Sequence, residues 1–147
     1  MFRHLLVPTD GSTLSSDTVG RAIAFAKDVR AKITFLYAKP DYPIAFYGEG
    51  ALIDPTSPEK FAEMAERQAQ EVLGACEHLA AEAGVPTRAV STTNDVPYEA
   101  IIDTATSEGC DLIFMASHGR RGISGLLLGS ETQKVLTHSK IPVLVYR

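Results

Sequence analysis

The chain has 147 residues and a formal net charge of −4 at pH 7, and at this length one compact domain buries a single core. We therefore expect one domain over residues 1–147. With 45% hydrophobic and 22% charged residues, the chain can bury enough apolar surface to fold, and its lack of excess basic charge argues against nucleic acid as a partner. No stretch reaches the roughly 20 apolar residues of a membrane span, and the apolar run near Met1 is too short for a signal peptide. We expect a cytoplasmic protein with no membrane partner.

Five short runs rich in apolar residues predict β-strands. Four of them are apolar throughout, which is typical of parallel strands that helices cover on both faces. In chain order the five runs are Leu5–Val7, Ile33–Tyr37, Ala89–Val90, Leu112–Met115 and Val143–Val145.

The first two predicted helices have clear apolar spacing and clear ends. Helical periodicity runs from Val19 to Val29, after a start rich in Ser, Thr and Asp. The second helix begins at Ser57, an N-cap residue followed by Pro58 at the first helical position, and it ends at Gly84. Its predicted apolar face comprises Phe61, Met64, Ala65, Val72, Cys76, Leu79 and Ala83.

Two shorter helices are predicted in the second half of the chain. One opens at Asn94 or Asp95, has Pro97 in its first turn and stops at Gly109. The other starts at Ser130, where the sequence Ser-Glu-Thr-Gln forms a capping box with Ser130 as its N-cap. Strands joined by helices in this way pair in parallel through right-handed crossovers. The predicted fold class is therefore α/β, a single doubly wound parallel sheet with helices on both faces.

One long segment interrupts the alternation of strands and helices. Residues Lys39 to Thr56 read KPDYPIAFYGEGALIDPT and are rich in proline, glycine and aromatic residues. Loops of this length are usually functional lids or disordered. An ordered lid or subunit contact and a mobile loop are equally compatible with the sequence.

The cysteines and histidines do not form a metal-binding pattern. Cys76 and Cys110 lie far apart, without a Cys-x-x-Cys spacing or a partner histidine, so we expect two reduced core thiols and no metal. His118 stands in a candidate site, where it either contacts a ligand or forms a hydrogen bond within its loop. The other histidines are predicted to be structural, and they are His4, His78 and His138.

Two loops have the composition of a ligand site. In an open parallel sheet, ligands bind outside the carboxyl ends of the strands, where the strand order reverses. The segment from Val7 to Ser12, VPTDGS, follows the first strand, and the segment from Ala116 to Ser130, ASHGRRGISGLLLGS, follows the fourth. Glycine lets backbone amides approach a ligand closely, and the helix amino terminus at Ser130 supplies free N–H groups and partial positive charge. The second loop is predicted to be a phosphate cradle, with a flexible surface loop as the alternative interpretation.

The second loop resembles the nucleotide-binding signature G-x2-G-x9-G-[S/T] of the universal stress protein family. Ala116-x-x-Gly119, then nine residues, then Gly129-Ser130 follow that spacing, with Ala116 in place of the first glycine. The segments LLVPTDGS, GCDLIFMASHGRRG and IPVLVYR also occur in the family's order and spacing, so the resemblance covers essentially the whole chain. It implies a five-stranded parallel sheet of order 3-2-1-4-5 and the ATP-binding branch of the family.

The resemblance also implies a cofactor, ATP accompanied by Mg²⁺, and a role for each matching residue. The adenosine part would lie against Pro8, Thr9, Asp10 and Ala38. Asp10 would accept a hydrogen bond from adenine or ribose, and the Ser130 hydroxyl would donate to a phosphate. The residues implied in the phosphate cradle are Ala116, Gly119, Gly129, Ser130 and the amide of Glu131, and the remaining cofactor-binding residues are Met115 and His118.

Two residues depart from the family pattern. Ala116 costs little if its backbone φ is negative, whereas a positive φ or a phosphate packed against its Cα would make the methyl group harmful. Glu131 stands where many relatives have an apolar residue, and we interpret it as a solvated acid that suits the helix dipole but repels a nearby triphosphate. Arg120 and Arg121 either offset that charge at the phosphates or lie in solvent. A Ser130 hydroxyl that caps its own helix could not at the same time serve a phosphate equally well, so capping and phosphate binding would compete for this hydroxyl.

These features predict an ATP-binding stress-response protein whose nucleotide acts as a signal or stabiliser and not as a substrate. No G-x4-G-K-[ST] motif is present, and the candidate bases Asp10, His118 and Glu131 have no orienting partner that the sequence reveals. A slow ATP hydrolase and a dimeric scaffold without nucleotide are the alternatives. A homodimer is predicted through the apolar last strand, Ile141 to Tyr146, because exposed edge strands tend to be covered or paired.

Overall fold

The computed structural model describes residues 1–42, 57–119 and 128–147, and these form five strands that alternate with four helices. Most of the segment from Lys39 to Thr56 lies outside the described residues. The strands are β1 (His4–Pro8), β2 (Lys32–Lys39), β3 (Thr87–Thr93), β4 (Leu112–Ala116) and β5 (Val143–Tyr146). The helices are α1 (Thr13–Val29), α2 (Pro58–Ala83), α3 (Pro97–Ser107) and α4 (Ser130–His138).

The five described strands form one sheet in the order β3-β2-β1-β4-β5. Every neighbouring pair is parallel, because a helix connects each strand to the next one along the chain. β1 lies in the middle, between β2 and β4, so the strand order reverses at β1. The predicted doubly wound α/β fold and its strand order are confirmed.

Alternate residues of each strand face opposite sides of the sheet, and two apolar clusters result. α1 and α2 pack on one face, over side chains that include Val7 and Phe35. α3 and α4 pack on the other, which we call the α3/α4 face, over side chains that include Leu6, Leu36 and Met115. All five of these side chains are almost completely buried. Because side chains alternate along a strand, the residue two positions after any of these five lies on the same face of the sheet as that residue.

The predicted face of α2 is confirmed in part, because Cys76 is buried and Val72 and Ala83 pack against the same core cluster. The buried residues of the helix are Ala69, Leu73, Cys76 and Ala80. Of the large residues predicted to face the core, Met64 and Leu79 are 64% and 48% exposed. The alanines let the helix backbone approach the sheet closely, so side-chain size and not hydrophobicity alone selects the buried face.

The start of α3 also differs from the prediction. The helix begins at Pro97 with Val96 at the N-cap, and neither Asn94 nor Asp95 caps it. The Asn94 side chain accepts the Val96 N–H at 2.8 Å, which closes a turn before the helix. Asp95 accepts the Asp41 N–H at 2.8 Å and so ties the end of β3 to the end of β2.

Both cysteines are buried and free, as predicted. Burial raises the pKa of the Cys76 and Cys110 thiols to about 11, so both are protonated at neutral pH. Within the described ranges, no group of three or more His, Cys, Asp or Glu side chains is arranged to hold a metal ion. No helix in the same ranges has the length and apolar character needed to cross a membrane.

Candidate functional site

The two predicted loops face one another across the carboxyl edge of the sheet. β1 and β4 are neighbours, and one loop leads from Thr9 into α1 while the other leaves Ala116 and returns at Gly129 to start α4. The strand order reverses at β1. In open α/β sheets this is the position at which a ligand crevice forms.

Hydrogen bonds within the first loop hold Asp10 in place. The hydroxyls of the buried residues Thr9 and Ser15 lie 2.7 Å apart, and Ser15 Oγ accepts the Asp10 N–H at 3.2 Å. Asp10 Oδ1 accepts the Ser12 N–H at 2.8 Å. Gly11, between them, has a φ of 77°, a left-handed conformation that favours glycine. The Asp10 carboxylate is therefore presented from a well-defined turn.

Gly119 brings the second loop against Asp10. A Cβ atom added to Gly119 would lie 2.9 Å from Asp10 Oδ2, which is closer than Cβ atoms normally approach. A side chain at position 119 would have to displace the Asp10 carboxylate, so the glycine lets the two loops pack closely, in addition to the phosphate contact that the sequence predicts.

The N-cap of α4 is Gly129 and not Ser130, so the predicted capping box is wrong. Gly129 has an extended backbone with φ −70° and ψ 159°, and Ser130 is the first helical residue. The Gly129 N–H donates to the Ser117 carbonyl at 2.7 Å, which holds residue 129 in this extended conformation, and a Cβ there would lie 3.2 Å from that oxygen, a tight contact that favours glycine. The predicted competition between capping and a phosphate does not arise, since the exposed Ser130 hydroxyl does not cap its own helix.

Thr132 fixes the first turn of α4 on the end of β4. Its buried hydroxyl donates to the carbonyls of Ala116 and Ser117, both at 3.1 Å. The first-turn N–H groups of α4 and the partial positive charge of the helix terminus are thereby held at the carboxyl edge of the sheet. This arrangement suits an anion.

Glu131 has a structural partner, so its interpretation as a solvated acid is wrong. Glu131 Oε2 accepts the Tyr98 N–H at 2.9 Å, and Oε1 accepts a hydrogen bond from Lys134 Nζ at 3.0 Å. Tyr98 lies in the first turn of α3, whose N-cap residue Val96 has no side-chain acceptor. The Glu131 carboxylate therefore caps α3 from the neighbouring helix.

Two side-chain polar atoms, each shielded from solvent within a half-buried residue, have no hydrogen-bond partner in the part of the chain that the structure describes. One is His118 Nε2, in the second loop, and the other is Thr92 Oγ1, near the end of β3. The other ring nitrogen of His118 lies 3.0 Å from Ser117 Oγ, so the hydrogen bond predicted within the loop is present. A buried polar atom without a partner costs roughly 1–3 kcal/mol, and such atoms in native structures mark places that need an explanation.

The remaining predicted site residues lie at the ends of the strands. Pro8 and Ala116 end β1 and β4, and Ala38 and Met115 are the residues before the last in β2 and β4. Pro8, Ala38 and Met115 share the α3/α4 face by strand alternation. The backbone φ of Ala116 is negative, because among the described non-glycine residues Arg30 alone has a positive φ. The backbone conformation at this position therefore does not require glycine.

An ion pair anchors α2 beside Ala38. Lys39 Nζ donates to Glu66 Oε2, and the Gln70 side chain donates to Glu66 Oε1 at 2.6 Å. The hydrogen bond from Lys39, followed by that from Gln70, lowers the pKa of Glu66 below its usual value. The carboxylate therefore stays ionised at neutral pH and holds α2 at the end of β2.

Sequence reasoning missed the hydroxyl residues that hold the site together. Ser15, Ser117 and Thr132 position the two loops, and Thr92 carries an orphaned hydroxyl at the site's edge. Serine and threonine are too common near loops for their positions alone to reveal these roles. Arg120 and Arg121, expected either at the phosphates or in solvent, lie outside the described residues.

Comparison with known proteins agrees with the geometry of these loops. The model of the universal stress protein family matches residues 1–147. The chain belongs to this family. It is 30% identical to the universal stress protein MJ0531 of Methanocaldococcus jannaschii over 148 residues, which cover 100% of this chain and 83% of that protein. It is 32% identical to the universal stress protein in the QAH/OAS sulfhydrylase 3′ region of Thermus aquaticus, with 100% of both chains covered.

One solved relative contains a nucleotide. It is a crystal structure of a universal stress protein in complex with cAMP, 26% identical to this chain with a TM-score of 0.71, and the match covers 99% of this chain and 97% of that one. The family predicted from the loop signature is therefore confirmed, and a nucleotide is a known ligand of a protein with this fold.

Proposed function

We propose that this universal stress protein is a cytoplasmic ATP-binding protein whose bound nucleotide acts as a signal or stabiliser and is not turned over. The observation that carries the proposal is the convergence of three features at one end of the sheet: the α4 amino terminus, the loop of Gly119 and the Asp10 turn. The exposed Ser130 hydroxyl adds a donor beside the α4 N–H groups. The cAMP complex of a relative supports a nucleotide as the ligand class.

In the proposed binding mode, the triphosphate lies at the start of α4 and the adenosine extends over Pro8 and Ala38 toward β2. Asp10 accepts a hydrogen bond from the ribose or the base. The negative charge of Glu131 is no obstacle, because its carboxylate is engaged by the Tyr98 N–H and by Lys134. The Mg²⁺ that accompanies ATP would be held mainly by the phosphates and by water.

Ser130→Ala tests the phosphate end of this mode. We expect ATP affinity to fall about ten-fold, because a hydrogen bond to a charged group is lost, with no change in thermal stability. Thr137→Ala, in the last turn of the same helix, is the matched control and should bind ATP as the wild type does. Isothermal titration calorimetry measures the ATP affinity of both variants, and native mass spectrometry of protein purified without added nucleotide identifies any nucleotide that the protein retains.

Equal ATP affinity in Ser130→Ala and wild type would remove the phosphate cradle from the proposal. No ATP binding by the wild type would favour the scaffold alternative.

The proposal that ATP is not hydrolysed is supported by the hydrogen bonds that the candidate bases already make within the protein. Glu131 is committed to α3, His118 Nδ1 contacts Ser117 Oγ, and Asp10 accepts the Ser12 N–H. No described base among these has an acidic group that orients it toward an attacking water. We expect phosphate release with saturating ATP and Mg²⁺ to stay far below the median enzyme rate of roughly 10 per second. A rate above about 1 per second that disappears in Gly119→Val would establish the slow-hydrolase alternative.

We also propose a homodimer through β5. β5 is an edge strand, and its four residues Val143–Tyr146 are each half-buried apolar side chains. Edge strands of this composition tend to pair or to be covered, and a two-fold pairing of β5 with its mate is the simplest closure. Val143→Lys should convert the dimer to a monomer in sedimentation at micromolar concentration. A monomeric wild type, or a variant that still associates, would refute this interface.

A further inference from the structure

Thr92 lies beside a residue that the proposed binding mode places at the base. It is the residue before the last in β3 and pairs with Ala38 in the parallel ladder. Two residues earlier, Val90 pairs with Leu36, and both belong to the cluster on the α3/α4 face. Because side chains alternate along a strand, Thr92 and Ala38 lie on this same face.

The Thr92 hydroxyl is buried and has no hydrogen-bond partner among the described residues. The hydroxyl of the preceding residue is engaged, since Ser91 Oγ, on the opposite face, lies 3.4 Å from both Glu66 oxygens. A valine would fill nearly the same volume at position 92 without a polar atom to satisfy. The hydroxyl therefore destabilises the protein without ligand, which indicates a use in binding.

The other orphaned atom, His118 Nε2, follows β4 at the opposite end of the site. β3 and β4 are separated by β2 and β1, so the two strands lie three spacings of about 4.8 Å apart, or about 14 Å. A nucleotide with its phosphates at the α4 amino terminus crosses this distance with its base toward β3, and a purine reaches farther than a pyrimidine. Both orphaned atoms thus lie on the path of one ligand.

We infer that Thr92 is a base-recognition residue of the nucleotide site, with its hydroxyl hydrogen-bonded to the edge of a bound purine. A hydroxyl both donates and accepts, so it can pair with either an amino or a carbonyl group on that edge. The inference rests on the proposed function. It assigns Thr92 to the base and leaves His118 and Ser130 to the phosphates.

Thr92→Val tests the inference because stability and affinity should move in opposite directions. We expect its thermal midpoint to equal or exceed that of the wild type, and its ATP affinity to fall about three- to ten-fold. Thr92→Ser keeps the hydroxyl and should retain ATP affinity within about two-fold. Thr93→Val makes the same change one residue later, at an exposed position on the other face, and should have no effect. Tripolyphosphate, which has no base, should compete equally well in wild type and Thr92→Val.

Equal ATP affinity in Thr92→Val and wild type would overturn the inference and leave the proposed function intact. An equal loss of ATP and tripolyphosphate affinity would also overturn it, because the change would then have disturbed the whole site. If the wild type binds no ATP, the proposed function fails, and the assignment of Thr92 fails with it.

Discussion

The two ends of the sheet differ in how completely their polar groups are hydrogen-bonded. At the amino end, His4 Nε2 lies 2.8 Å from Thr34 Oγ1, and the Asp111 carboxylate accepts the N–H groups of Arg3 and His4 at 2.9 and 3.0 Å. At the carboxyl end, the described residues include Thr92 Oγ1 and His118 Nε2, which are buried without partners. Satisfied groups stabilise the fold, whereas orphaned groups cost free energy that a ligand can recover. From this contrast we expect substitutions at the amino end to change mainly stability, and substitutions at the carboxyl end to change mainly the proposed nucleotide binding.

The largest effect that tests this contrast is expected at Asp111. Its carboxylate accepts three hydrogen bonds from two backbone N–H groups, two of them bifurcated from Arg3, and bonds to a charged acceptor are among the stronger ones. Asp111→Ala should lower the free energy of unfolding by about 2–3 kcal/mol, measured by urea denaturation. ATP affinity of the folded variant should stay at the wild-type value. Asp111→Asn keeps an acceptor and should lose less, and a drop in ATP affinity with Asp111→Ala would contradict the division between the two ends.

The next effect concerns Gly119, where packing and binding are combined. Gly119→Ala should cost about 1–2 kcal/mol of stability without nucleotide, because its Cβ would lie 2.9 Å from Asp10 Oδ2. In an Asp10→Ala background the cost should disappear, so a double-mutant cycle reports the contact directly. Gly20→Ala is the matched control, since a Cβ there meets nothing within 4 Å, and it should stabilise α1 slightly. If Gly119→Ala leaves unfolding unchanged, the glycine serves the ligand alone.

The sheet was predictable from the sequence, whereas the caps and the orphaned atoms were not. Apolar runs such as Leu112–Met115 identify buried strands directly, and the glycine spacing identifies the family. The N-cap of α4 could not be predicted in this way, because Ser130 has the chemistry of a cap. The hydrogen bond from the Gly129 N–H to the Ser117 carbonyl, which holds the N-cap one position earlier, is not visible in the sequence. Long-range contacts of this kind depend on which strands become neighbours.

The partner of Glu131 shows the same limit. An acid in the first turn of a helix is typical of a residue that favours its own helix dipole. Its actual partner, the Tyr98 N–H, lies 33 residues away in sequence and on another helix. The role inferred for Thr92 shows the same limit, since the inference depends on the pairing of Thr92 with Ala38 on the neighbouring strand.

A smaller effect is expected from the pH dependence of stability at the amino end. Burial is the main cause of a lowered pKa for His4; Lys32 lowers it further, while Asp111 and Glu108 oppose the shift. The unfolded chain therefore binds a proton at about pH 6.5 that the folded chain binds only at lower pH. The contribution of neutral His4 to stability is fully present above pH 6.5 and is lost as the pH decreases below this value. The slope is at most about 1.4 kcal/mol per pH unit.

His4→Gln should flatten this slope between pH 5 and 6.5, measured by urea denaturation at several pH values. The lowered pKa of Glu66 acts in a separate range, because its contribution is lost only as the pH falls below its usual value of 4.5. His78→Gln is the control, since His78 is exposed on α2, and it should keep the wild-type slope. An unchanged slope in His4→Gln would show that His4 does not control acid sensitivity in this range.

The smallest effect distinguishes a structural acid from a binding residue at the carboxyl end itself. Glu131 lies next to Ser130 in the proposed phosphate cradle, yet its carboxylate caps α3 through the Tyr98 N–H. Glu131→Ala should lower the free energy of unfolding by about 1 kcal/mol, the usual effect of losing a helix cap. Glu131→Gln keeps an acceptor for Tyr98 and should lose less. ATP affinity should not fall in either variant, because the Glu131 side chain points to α3 and removal of its charge lessens any repulsion of the phosphates. Calorimetric titration with ATP and thermal unfolding of the same variants distinguish the two roles. A variant with wild-type unfolding but weaker ATP binding would show that the Glu131 side chain belongs to the binding site and does not cap α3.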